Sequence, residues 1–162
     1  MKKIIFFMMG LCLLGVGSTA LGKSSDSAIL EFKTMVGVSG PFVGNANPIR
    51  GISGGGLPWV ISNGKGELKA DGKLEVEVKG LVLAAGPLAG TNPVPNFRAI
   101  LSCMTIDGTG NPAIVNLSTG DFPATTTGDA EIETTLDLPS SCFAPIIFVT
   151  SPTGSWFAVT GF

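Results

Sequence analysis

The chain has 162 residues, with 23 Gly, 11 Pro, 3 Cys, no His and no Tyr, and a net charge of −2. That length suits one domain of ordinary size. The absence of histidine excludes Ser-His-Asp and Cys-His catalytic sets, His-ligated zinc or haem, and an imidazole switch near neutral pH.

Residues 1–20 read as a secretory signal peptide. Lys2 and Lys3 form a short positive region, Ile4 to Gly17 an apolar run, and Ser18-Thr19-Ala20 a small-residue cleavage site. The apolar run is shorter than the ~20 residues that span a bilayer. Leu11 precedes Cys12 where a lipidation signal needs a small residue, so Cys12 is expected to leave with the peptide. The remainder carries eight basic against twelve acidic residues, a net charge of −4. It holds no basic cluster, so no nucleic-acid partner is expected. Residues 21–27 form a polar leader, and residues 28–162 a single domain.

No segment of that domain has helical periodicity. Apolar residues recur at period two, and Gly and Pro punctuate the chain at intervals that suit an all-β protein. Ile29 to Val38 reads as the first strand. The next 20 residues, Gly40 to Trp59, are rich in Gly, Pro and Asn; loops of that length are uncommon and often functional. The segment contains Arg50 and Trp59. Its Gly54-Gly55-Gly56 lacks the strand, helix and Gly-Lys-Ser/Thr of a phosphate loop, and a crossover between sheets is the plainer reading.

Pro58 to Ser62, Glu67 to Ala70 and Lys73 to Ala84 read as a meander, with turns at Asn63-Gly64 and Asp71-Gly72. In the third segment Leu74, Val76 and Val78 point one way, and Lys73, Glu75, Glu77 and Lys79 the other. Gly80 marks a bulge or a crossing into a second sheet. A second long loop, Ala85 to Asn96, leads into the strand Phe97 to Ile106. There Arg98, Ile100, Ser102 and Met104 form a partly apolar face that we expect to be covered. Ala113 to Ser118, Asp129 to Leu138, Phe143 to Thr150 and Ser155 to Phe162 complete about nine strands. The expected fold is an antiparallel β-sandwich of about 8–9 strands, with a closed barrel as the alternative.

Cys103 and Cys142 are the even pair left after export, and are expected to form a structural disulfide. Neither has CxxC spacing or a basic neighbour that would make it redox-active. Arg50, Trp59 and Arg98 are the candidate ligand-binding residues, because aromatics and arginine dominate binding energy where they line a pocket. The strand position of Arg98 equally suits a surface ion pair. Glu75 with Glu77, and Glu131 with Glu133, have the i, i+2 spacing of two carboxylates on one face, which invites comparison with a glycosidase pair; solvated sheet surface is the plainer reading. Asp107 to Asn111 and Thr119 to Phe122 are the loops whose oxygens suit calcium, but they lack regular acidic spacing. No metal or cofactor is expected. The sequon at Asn116 carries little weight beside a signal of bacterial type.

The strings GPFVGNANPIRGISGGGLPWVI, GELKADGKLEVEVKGLVL, GTNPVPNFRAILSC, FPATTTGDAEIE and CFAPIIFVTSPTGSWFAVTGF together resemble an uncharacterised family of small secreted bacterial all-β proteins, over most of residues 40–162. The resemblance implies export and a single domain, and assigns no residue a role. GELKADGKLEVEVKGL also resembles one hairpin of CHRD-type β domains, whose frequent histidines are absent here. The expectation is a non-catalytic protein, secreted or periplasmic, without a transmembrane segment after export. It would be a monomer that binds an unidentified ligand or protein, or that is associated with the envelope. The alternatives are a carboxylate-based glycan hydrolase and a subunit of a surface assembly joined by edge strands.

Overall fold

The computed structural model describes residues 27–161; the expected signal peptide and nearly all of the leader lie outside the described residues. The described chain is a β-sandwich with no closed barrel. Its first sheet pairs β1 (Ala28–Phe32), β4 (Asn63–Lys69), β5 (Lys73–Lys79) and β10 (Ala130–Thr135) in that spatial order. The second runs β2 (Met35–Gly37), β12 (Trp156–Thr160), β11 (Phe143–Thr150), β7 (Asn96–Ile106) and β8 (Pro112–Ser118), with β9 (Phe122–Pro123) on the far end of β7. A two-stranded ribbon joins β3 (Trp59–Val60) to β6 (Val82–Leu83). All these pairings are antiparallel. No helix among the described residues is long and apolar enough to cross a membrane.

The alternation of β5 produces this arrangement directly. Leu74, Val76 and Val78 are buried, and their polar neighbours face water. Ile132 and Ala130 of β10 pair with Val76 and Val78 on the same inner face. From the second sheet, β7 supplies Phe97, Ala99, Leu101 and Cys103, all fully buried. The β4–β5 turn contains the expected Asp71-Gly72. Gly72 has φ +92°, and a Cβ there would stand 2.0 Å from the Leu136 carbonyl oxygen, so only glycine fits.

Three expected elements differ. Ile29 to Val38 is two strands, because the chain turns a corner between the sheets at Lys33-Thr34. Phe32 and Met35 can thus both pack on the glycines of β4, at Gly66 and Gly64, whereas a straight strand would point residues three apart to opposite faces. Asn63-Gly64 lies inside β4 and pairs with Lys79 and Val78. The Trp59 strand pairs with Leu83 rather than with β4. Gly80 is the crossing point: β5 stops at Lys79, the Gly80 N–H donates to Asp129 Oδ1 at 2.9 Å, and β6 continues in another sheet.

Cys103 and Cys142 form a disulfide with a Cα–Cα distance of 4.9 Å. It fastens the entry of β11 to β7, where the ladder is irregular between Phe143 and Ile146.

Candidate functional site

The two outer faces of the sandwich differ in charge. All six glutamates of the chain lie on the first sheet. Glu31, Glu67, Glu75 and Glu133 stand opposite one another across its four strands, and Lys65, Glu77 and Glu131 form the next row. Lys65 Nζ meets Glu77 at 2.8 Å, and Lys73 Nζ reaches Glu75 at 2.6 Å and Glu133 at 3.4 Å. A shallow depression of about 420 Å³ runs over these rows. The hydrogen bond and charge of Lys73 hold the Glu75 carboxyl below its ordinary value, and Lys65 does the same for Glu77. Acid–base work on a glycan needs two carboxyls whose pKa values are driven apart. Here both members of the pair move down together.

These depressed values set a pH dependence. A carboxylate whose pKa is lowered by folding stabilises the fold above its unfolded value, and that contribution is lost as pH falls through the folded value. Urea midpoints are therefore expected to fall modestly below the ordinary carboxylate value of 4.5. Glu75→Gln should flatten that fall. The effect is small because the pairs are solvent-exposed, and an unchanged pH profile in Glu75→Gln would contradict the assignment.

The three candidate binding residues have separate surroundings. Trp59 is 4% exposed; its ring stacks on Phe157 with centroids 4.0 Å apart and meets Phe97 edge-on. Arg98 forms an ion pair with Asp121, whose hydrogen bond raises the guanidinium pKa. Arg50 Nη1 donates to the Ser102 carbonyl at 2.8 Å, and Nη2 to the Ala144 carbonyl at 2.9 Å. The Arg50 carbonyl accepts from Asn116 Nδ2 at 3.0 Å.

Arg50 therefore clamps the long Gly40–Trp59 loop onto β7, β8 and β11. The loop is a cover. Ser53 O accepts from the Trp156 N–H and the Gly55 N–H donates to Trp156 O, so the loop runs along β12 beyond the end of β2. Gly54 lets the loop close on itself, since a Cβ there would overlap the Phe42 carbonyl oxygen. Beneath the cover lie Ile100, Ser102, Phe148 and Trp156, all buried on the outer face of the second sheet. Ser102 Oγ and Trp156 Nε1 are buried there without hydrogen-bond partners. Arg50→Ala should cost about 1–2 kcal/mol, the worth of charged hydrogen bonds at a half-buried site. Arg50→Lys should recover little, because its donors sit on a single nitrogen, whereas Arg50 reaches the two carbonyls with separate nitrogens. Full recovery by lysine in a urea titration would contradict the clamp.

The cover stops at Arg50. Beyond it Phe143, Met104 and Ile114 face one another in register across β11, β7 and β8, exposed by 58%, 45% and 51%. Ile106 extends the row along β7 at 56%. Directly opposed residues share a face, so these side chains form one apolar strip. Met104 follows Cys103 and Phe143 follows Cys142, so the disulfide fixes two members of the strip. The only non-glycine residues with positive φ among those described, Arg50 at +49° and Ala144 at +44°, are bonded to each other at its border. Such backbone costs about 1 kcal/mol or more per residue and clusters at working sites.

The sequence pointed to a cover over Arg98, Ile100, Ser102 and Met104. The structure covers Ile100 and Ser102 and leaves Met104 open. The signal for the strip was two strands, Phe97 to Ile106 and Phe143 to Thr150, with apolar residues on both faces.

Asp107 Oδ1 accepts from the Thr109 and Asn111 N–H groups and from Thr109 Oγ1, which hold its carboxyl low. It closes a turn. Asp121 of the other candidate loop is the partner of Arg98. Among the described residues no group of three or more acidic or cysteine side chains could hold a metal ion.

Compared with known proteins, the chain matches no family model, no curated protein and no solved structure.

Proposed function

We propose that this is an exported, non-catalytic binding protein of the cell envelope, secreted or periplasmic, that docks through the strip of Phe143, Met104, Ile114 and Ile106. The observation that carries this reading is the strip itself: four large apolar side chains, contiguous and about half exposed, held by a disulfide and bordered by the strained Arg50–Ala144 clamp. A contiguous apolar patch of this kind is often functional. The disulfide supports an oxidising compartment, in agreement with the export signal read from residues 1–20. A glycan hydrolase would have to use the glutamate rows, whose best-placed pair is neutralised by lysines from the same face.

The test is envelope retention in cells. A Met104→Lys, Ile114→Lys double variant should keep its near-UV circular dichroism and move from the envelope-bound to the free fraction. A folded double variant retained like the wild type would overturn docking at the envelope.

A further inference from the structure

We propose that the partner of this strip is a second copy of the chain, packed face to face across a two-fold axis. The inference rests on the reading of the strip as a docking surface, and adds the identity of the partner.

Charge placement argues for it. The strands of the second sheet contain one charged side chain, Arg98, and that is paired with Asp121. The first sheet carries all six glutamates together with Lys65, Lys69, Lys73 and Lys79. Two copies of an acidic chain repel through most of their surface. Apposed through their second sheets, they keep the glutamate faces apart; the charges that border the strip are Arg50, bonded to the Ser102 and Ala144 carbonyls, and Asp107, closed into its own turn. Packed sheets lie about 10 Å apart, so three such spacings would separate the two glutamate faces by about 30 Å. That is well beyond the ~8 Å screening length at physiological ionic strength.

Self-complementarity argues the same way. In a two-fold interface the same patch must satisfy itself. An uncharged apolar row does so, whereas a row of lysines or of glutamates does not. The strip also reaches the edge strand β8, whose pairing with β7 is regular and which carries no charged residue. Of the features that commonly keep an edge apart from other chains, it has only Pro112 at its first position. Four half-exposed side chains make a patch of a few hundred Å², short of the ~800 Å² per partner of a stable complex. The dimer should therefore be weak.

Sedimentation velocity on the exported protein, as processed by the cell, tests this from about 1 μM to about 1 mM. The expected result is a reversible monomer–dimer transition that persists or tightens as salt rises from about 0.05 to about 0.5 M. Ile114→Lys, and independently Met104→Lys should the first variant not fold, should raise the Kd at least about tenfold, since each buries an unpaired charge. Glu77→Lys should leave it unchanged. Association that weakens with salt, or survives both lysine variants, would place the contact elsewhere and overturn the proposal. So would a monomer at every concentration. In that case co-sedimentation with phosphatidylcholine vesicles, lost in Ile114→Lys, would assign the strip to a lipid surface and leave the docking reading standing. A monomer that ignores such vesicles, and whose envelope retention is also unchanged by the lysine variants, would remove both.

Discussion

Replacing Cys103 and Cys142 together by alanine is expected to destabilise the fold by about 4 kcal/mol. The two are 39 residues apart in sequence, and closing a loop of that length removes this much chain entropy from the unfolded state. Total stabilities of single domains are about 5–15 kcal/mol, so the loss is a large share. It should lower Tm by roughly 10–20 °C. The position of the bond adds to the effect. It anchors β11 just where its ladder with β7 is interrupted, between Phe143 and Ile146. Without it, the first residues of β11 should fray and Phe143 should leave the strip. Urea titrations of the oxidised protein and the double alanine variant measure the difference directly. A loss under about 1 kcal/mol would mean that the sheet alone holds this corner.

The second large effect is at Trp59, and it concerns stability rather than binding. Trp59→Ala should cost about 3–5 kcal/mol, as truncation of a fully packed aromatic does. The ring lies between Phe157, stacked at 4.0 Å, and Phe97, edge-on at 6.5 Å. Phe97 and Phe157 also meet each other edge-on. The three rings form a single unit, so Trp59→Ala and Phe157→Ala should be non-additive by about 1 kcal/mol. Trp59→Phe should recover more than half of the loss. If the alanine variant unfolds at the wild-type urea concentration, the ring is not the packing element described.

How much could be read from the sequence follows from which faces are wet. β5 and β10 alternate because one side meets water, so Leu74, Val76, Val78 and Ile132 were legible as core and Glu75, Glu77, Glu131 and Glu133 as surface. The Asp71-Gly72 turn and the pairing of two cysteines were legible for local and chemical reasons. The corner at Lys33-Thr34 was not, because an extended run reads the same whether or not it changes sheets midway. Nor was the partner of Trp59, since Leu83 becomes its neighbour only after the crossing at Gly80. The site was harder. The acceptors of Arg50 are main-chain carbonyls 52 and 94 residues away, and carbonyls have no sequence signature. In Phe97 to Ile106 and Phe143 to Thr150 both faces are apolar, so the sequence cannot show which outward residues the Gly40–Trp59 loop covers. Where its cover stops, at Arg50, decides that Ile100 is core and Met104 is surface.

The central claim is that this protein works through the uncharged strip of its second sheet and not through its glutamate face. A photo-crosslinking amino acid placed at position 114 or at position 77, in cells, tests it most directly. The account predicts defined adducts from position 114 and none from position 77. Adducts from position 77 with none from 114 would contradict it.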